Sequence, residues 1–141
     1  ENFGMIPEQF KTAEKEHKDR ILQFGYVPSR QEYEKWLKRG AIVISTAMQE
    51  NFGMSVIEAI IMGCIPLLPH RLSYPEILPK EFQEHFLYKT RHDLIEKLVR
   101  ITSDYKAYKE IQSRLAQKMK LFLWGNVAGR YDKVLKRLAS L

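Results

Sequence analysis

Short apolar runs alternate with longer amphipathic stretches along this chain. AIVIS, residues 41–45, and CIPLLP, 64–69, are rich in branched side chains, the pattern of strands covered on both faces of a parallel sheet. ILQFG, 21–25, is an earlier apolar run ended by a glycine, and HFLY, 85–88, reads as a short fourth strand. Between these runs the spacing becomes helical. PEQFKTAEKEHK, 7–18, opens with Pro7 and sets Phe10 and Ala13 on one face. Ser29, with Glu32 three residues on, has the capping-box spacing and starts a helix to about Lys38, which Gly40 ends. A helix is expected around 53–62, and a helical turn at 74–78. Three more close the chain: 91–102; 104 to about 122, with a stripe of Tyr105, Tyr108, Ile111, Leu115, Met119 and Phe122; and 126–139, with Val127, Tyr131, Val134 and Leu138.

Strands and helices alternating in this way predict an α/β fold, a Rossmann-like, doubly wound parallel sheet whose ligands sit at the carboxyl ends of the strands. The loops after 25, 45 and 69 are therefore the places to look for chemistry. The 141 residues amount to one domain, and a domain of that size buries roughly two thirds of its unfolded surface.

Charge adds a direction. The formal net charge of +6 makes an anionic partner plausible, whether nucleotide, nucleic acid or acidic membrane surface, beside the plain reading of a solvated basic surface. No apolar run approaches the roughly 18 residues that span a bilayer, and the N-terminus lacks the order of a signal peptide. The cytoplasm is the expected compartment. The single cysteine, Cys64, excludes an intrachain disulfide and suits a reducing environment.

The pentapeptide ENFGM occurs twice, at 1–5 and 50–54. A polar amphipathic segment follows the first copy and an almost wholly apolar one, SVIEAIIMGC, the second. The flanks share nothing, so this is no internal repeat. The first copy has no strand before it, and the expectation is a domain that starts just after a missing strand. Only the second copy lies where an α/β ligand loop belongs.

That second stretch carries the candidate chemistry. On one regular helix Glu50 and Glu58 stand about 12 Å apart along the axis, too far for a close carboxylate pair. Gly53 lets the chain turn, which would leave Glu50 in the strand-to-helix loop and Glu58 about a turn into the helix. The helix N-terminus between them offers free N–H groups and a positive dipole end to an anion. One carboxylate on each side of such a site suits a nucleotide-sugar, with Glu50 on sugar hydroxyls and Glu58 on the ribose pair. A structural reading stands beside this one: Ser55 and Glu58 have the spacing of a capping box, and Glu50 is then a solvated loop acid.

Other residues point less sharply. Cys64 is a small core residue by its setting. His17, His70, His85 and His92 lack metal-ligand spacing, although the loop of His70 and Arg71 should face the cleft, which makes both candidates for donor or acceptor binding. Trp36 and Trp124 fall on packing positions. The basic residues of the last helices suit either tRNA or lipid phosphates, or simply the wet face of each helix.

The stretch STAMQENFGMSVIEAIIMGCIPLLPHRLSYPEIL resembles the central motif of the family 4 retaining glycosyltransferases, E-G-F-G-x-x-x-x-E-A-x-x-x-G-x-P followed by a loop and a further Glu. FGYVPSRQEYEKWLKRGAIVIST and LFLWGNVAGRYDKVL extend the resemblance over nearly the whole chain. S-T-A before the motif and Y-P-E-I after it are most similar to the branch that transfers mannose from GDP-mannose to tRNA queuosine. The resemblance implies the C-terminal, donor-binding half of a GT-B fold over 1–141, with the acceptor domain absent. It implies a catalytic Glu50 holding the donor sugar, and Asn51, Phe52 and Gly53 lining it. Met54 and Ser55 would offer N–H groups to the diphosphate, Glu58 would bind ribose, and Gly25, Tyr26 and Val27 would border the base. The expected donor is a GDP-sugar or UDP-sugar, with no essential metal and no other cofactor.

Three departures from the family pattern bear on this. The diphosphate-gripping Arg and Lys lie upstream of this sequence, so it should be inactive alone. Asn51 replaces a glycine, and His70-Arg71-Leu72-Ser73 replaces Gly-Gly after the strand. Two alternatives remain open: a peripheral-membrane enzyme making glycolipid or envelope glycan, and a noncatalytic nucleotide-binding module.

Overall fold

A computed structural model describes residues 8–139. The chain divides into two compact units, Glu1–Glu32 and Tyr33–Leu141. Pro7 and the first ENFGM copy lie outside the described residues.

In the first unit, helix α1 (Glu8–Glu16) buries none of its residues and leaves Phe10 exposed. A single 3-10 turn at Lys18–Arg20 follows. The run ILQFG is irregular rather than a strand. A strand needs a neighbour to satisfy its ladder groups, and the described part of this unit contains none. Ser29 does cap the next helix, α2 (Arg30–Arg39), its hydroxyl accepting from Glu32 N at 3.2 Å.

The second unit is built on a parallel sheet in the order β1 (Ile42–Ile44), β2 (Ile65–Pro69), β3 (Leu87–Tyr88). Ile42 pairs with Ile65 and Leu68 with Leu87. Every residue of β2 is buried, as its unbroken apolar run predicts. It nevertheless contains Pro66 and Pro69, residues that central strands normally exclude. The register explains how they are tolerated. Ile65 N donates to Ala41 O and Ser45 N donates to Leu67 O, so odd-numbered β2 residues face β1 and even-numbered ones face β3. Pro66 thus faces the β3 side two residues before Leu68, where β3 has not begun, and Pro69 faces the β1 side past Ile44, where β1 has ended. Neither missing N–H falls on a ladder bond. The strand β1 departs from expectation: it forms an edge among the described strands, and Ile44 is 45% exposed.

Helix α3 (Met54–Ile61) buries Val56, Ile57, Ala59 and Ile60. Helices α4 (Tyr74–Ile77) and α5 (Lys80–Phe86) come before β3. The segment HFLY is therefore half helix, and only Leu87 and Tyr88 form strand. Phe82 and Phe86, spaced i, i+4, are both buried and continue a helical period up to the strand. Helices α6 (Arg91–Ser103), α7 (Tyr105–Met119) and α8 (Trp124–Ala139) complete the unit. Leu115 and Met119 of α7 join the core made by α3, β2 and α5. The buried Gln112 amide donates to Ile60 O at 2.7 Å, and Lys109 Nζ donates to Gly63 O. Two side chains of α7 thus bond carbonyls at and just beyond the C-terminal end of α3, where Ile60 O also accepts from Gly63 N. No described helix is long and apolar enough to cross a membrane.

Candidate functional site

At Ser45 the chain makes its last ladder bond and leaves the sheet. From there four carbonyls of loop 45–53 are met by side chains from other segments. Tyr88, at the end of β3, donates its hydroxyl to Ser45 O at 2.7 Å. Burial raises the Tyr88 phenol above its ordinary pKa, the Arg71 charge opposing and Tyr74 reinforcing, so it remains a donor at neutral pH. The Ser45 hydroxyl lies 2.8 Å from that of Tyr74 and accepts from Ala47 N at 3.3 Å. Arg71 donates Nε to Ala47 O at 3.2 Å and Nη2 to Thr46 O at 3.4 Å. Further along, Ser73 Oγ donates to Phe52 O at 3.1 Å.

Glu50 lies in this loop, half-buried, and its Oε1 accepts from Gly53 N at 3.0 Å. Gly53 is the residue before α3 and adopts φ +88°. A Cβ there would come within 3.3 Å of both Ile77 Cδ1 and Tyr74 Cε1, so both backbone angle and space call for glycine. The first intrahelical bonds run from Val56 N and Ile57 N to Gly53 O. Met54 and Ser55 precede them, and their amides belong to the orphan donors of the helix start. Ser55 is the second helical residue, not the cap, and α3 has no side-chain cap bond. The capping-box reading of Ser55 and Glu58 therefore does not hold. Glu58 sits in the second turn, half-buried.

Asn51, Phe52, Met54 and Ser55 are exposed around Gly53. Phe52 and Met54 line an open groove of about 620 Å³ whose other walls include Leu121, Phe122, Trp124, Val127, Tyr131 and Val134. The Phe52 and Phe122 rings meet edge to face, 5.6 Å between centroids. Trp124 stacks on Tyr131 at 6.5 Å and is 74% exposed. Trp124 and the apolar stripe of α8 thus form a groove wall instead of entering the core as expected. Trp36 is half-buried, with the Arg39 guanidinium 4.6 Å above its ring.

The adjacent loop residues diverge. Arg71 reaches the loop that carries Glu50. His70 lines a different depression, of about 350 Å³, with Gln83, Glu84, Lys89, Asp93 and Lys97 among its walls. In the first unit, Gly25 has φ +78°, Tyr26 is 90% exposed and Val27 half-buried. Among the described residues no three His, Cys, Asp or Glu side chains gather as metal ligands. Cys64 is buried, its thiol donating to Leu37 O and Gly40 O at 3.3 Å each. Burial raises its pKa and the Lys109 charge partly opposes this.

Sequence reading passed over Ser45, Ser73, Tyr74 and Tyr88. Each is a hydroxyl residue at the carboxyl end of a strand, in the loop beyond it or, for Tyr74, at the start of the helix that follows.

Residues 7–118 match the family model for glycosyl transferases group 1. Over 98 residues the chain is 43% identical to tRNA-queuosine alpha-mannosyltransferase of Drosophila melanogaster. That match covers 70% of this chain and 25% of the fly protein, so the chain spans about a quarter of its relative's length.

Proposed function

The chain belongs to the group 1 glycosyl transferases, and from that premise we propose that it is the donor-nucleotide part of an enzyme that moves mannose, with retention, from GDP-mannose to queuosine in tRNA. The observation that carries this reading is the conjunction, at the carboxyl end of β1, of the Glu50 carboxylate with the start of α3. One Glu50 oxygen accepts a single backbone bond, which leaves lone pairs for sugar hydroxyls. The amides of Met54 and Ser55 face the diphosphate, where the helix dipole adds typically 0.3–1 kcal/mol in favour of an anion. Asn51, Phe52 and Gly53 line the sugar, and Glu58 takes the ribose hydroxyls.

In the transfer, the bond from C1 of the sugar to the diphosphate oxygen breaks, one to an acceptor hydroxyl oxygen forms, and the proton of that hydroxyl leaves with the nucleoside diphosphate. Positive groups and helix N–H donors stabilise the departing diphosphate, and no essential metal is required. The acceptor domain lies elsewhere in the full polypeptide. The 43% identity to the fly enzyme supports the tRNA acceptor, and a tRNA acceptor is compatible with a cytoplasmic enzyme.

The test is transfer of labelled mannose by the full-length protein to queuosine-containing tRNA, with Glu50→Ala alongside. Transfer by the native protein and none by the variant is expected. Transfer to a lipid-linked acceptor and none to tRNA would overturn the acceptor. No transfer from any nucleotide-sugar would favour a noncatalytic module.

A further inference from the structure

Loop 45–53 carries Glu50, yet it makes no ladder bond after Ser45 N. A loop held only by its ends would let the carboxylate wander, and a displacement near 1 Å is enough to cost a transfer enzyme much of its rate. Tyr74 and Tyr88 fix its start at Ser45, and beyond Ser45 what holds the loop is a second loop, 70–73. Arg71 spans the carbonyls of Ala47 and Thr46, and Ser73 takes the carbonyl of Phe52, so the two sides of Glu50 are tied to one short segment. The segment itself is bent to make these bonds. Leu72, between the two donors, has φ +58°, a left-handed backbone that a residue with a branched side chain adopts only when its surroundings impose it. Arg71 N also donates to Pro69 O at 2.7 Å, closing the turn directly after β2.

We propose that Arg71 and Ser73 are positioning residues: together they brace loop 45–53 from the strained 70–73 turn and so set the Glu50 carboxylate against the donor sugar. The inference rests on the donor-site reading and adds to it. On this proposal the two side chains act on backbone carbonyls of the loop rather than on sugar or nucleotide. The brace acts on the sugar end of the site, whereas the ribose contact of Glu58 belongs to the second turn of α3, which is fixed by its own intrahelical bonds. Arg71 is exposed and Ser73 only half-buried, so removing either disturbs the core little.

The experiment compares Arg71→Ala, Ser73→Ala, Ser73→Thr and Glu50→Gln in the full-length protein. GDP binding and the melting temperature are measured beside the rate of transfer from GDP-mannose. Arg71→Ala should lower kcat tenfold or more, and Ser73→Ala several-fold, while the dissociation constant for GDP stays within twofold and the melting temperature holds. Ser73→Thr keeps the hydroxyl and should restore the native rate. A native kcat in both alanine variants, with Glu50→Gln inactive, would overturn the brace and leave the donor site standing. GDP binding lost in step with kcat in Arg71→Ala would also overturn it, because Arg71 would then touch the nucleotide. Full activity in Glu50→Gln would remove the donor-site reading on which the brace depends.

Discussion

Gly53 N donates to Glu50 Oε1 at 3.0 Å, closing a three-residue turn between the end of a strand loop and the start of α3. This bond orients the carboxylate and simultaneously occupies the amide that a helix start would otherwise leave free. Glu50→Gln keeps an oxygen that accepts the bond, whereas Glu50→Ala removes it. The loss of a hydrogen bond to a charged group costs about 1.5–3 kcal/mol where the donor is left unmet. With the loop partly wet, we expect the lower end of that range for Glu50→Ala in urea denaturation, and a smaller loss for Glu50→Gln. Both variants should lose transfer.

Gly53→Ala tests the turn from its other side. The φ of +88° disfavours any Cβ, and the two 3.3 Å approaches to Tyr74 and Ile77 require those side chains to shift by a few tenths of an ångström. Strain and overpacking together should destabilise the domain by about 1–3 kcal/mol. A denaturant midpoint equal to that of the native protein would show that the turn relaxes freely.

A second glycine is fixed by contact alone. A Cβ on Gly40 would lie 2.9 Å from Cys64 Sγ, the sulfur that bonds Leu37 O and Gly40 O. Gly40→Ala alone should therefore cost about 1–3 kcal/mol. In the Cys64→Ala background the obstructing sulfur is gone, so the same substitution should cost markedly less. The coupling energy from this double-mutant cycle is expected to exceed 0.5 kcal/mol. Additivity of the two substitutions would remove the contact as the reason for glycine.

The thiol also gives a pH dependence. Its folded pKa is raised by burial, so the native state holds the proton more tightly than the unfolded chain. Stability from this group is full below the ordinary thiol range and falls as pH rises through it. Urea midpoints at neutral and alkaline pH should diverge more for the native protein than for Cys64→Ala. Alkylation of the folded protein at neutral pH should be slow.

Gln112 ties α7 to the end of α3 through Ile60 O, deep in the core. Gln112→Leu fills similar space and removes this bond while Ile60 O keeps the one from Gly63 N, a loss of about 0.5–1.5 kcal/mol. Thermal unfolding of the variant measures it.

How much of this was legible in the sequence depended on how local each signal was. The strands 42–44 and 65–69, the Ser29 cap and the helices from 91 onward follow from short-range pattern, and the structure has them. The sheet's burial pattern was only half legible, because β2 is central and β1 an edge among the described strands, and an apolar run does not say on how many sides it is paired. ILQFG failed as a strand for the same reason: its composition suits a ladder, but the described part of its unit contains no partner. The capping-box spacing of Ser55 and Glu58 misled because Gly53, with its left-handed backbone, sets the helix start two residues earlier. The α8 stripe was correctly periodic, yet period cannot tell a core face from a groove wall. Least legible were the bonds of Arg71, Ser73, Tyr74 and Tyr88 to loop 45–53, which join residues 21 to 43 positions apart.

The central claim, a donor-nucleotide site at the start of α3, is tested most directly by calorimetric titration of the full-length protein with GDP, UDP and ADP, repeated on Glu58→Ala. We expect GDP to bind in preference to the others, and Glu58→Ala to weaken it by about 1.5–3 kcal/mol, roughly ten- to a hundredfold, with the fold intact. GDP binding of equal strength in the native protein and in Glu58→Ala, or no binding of any nucleotide at millimolar concentration, would contradict it.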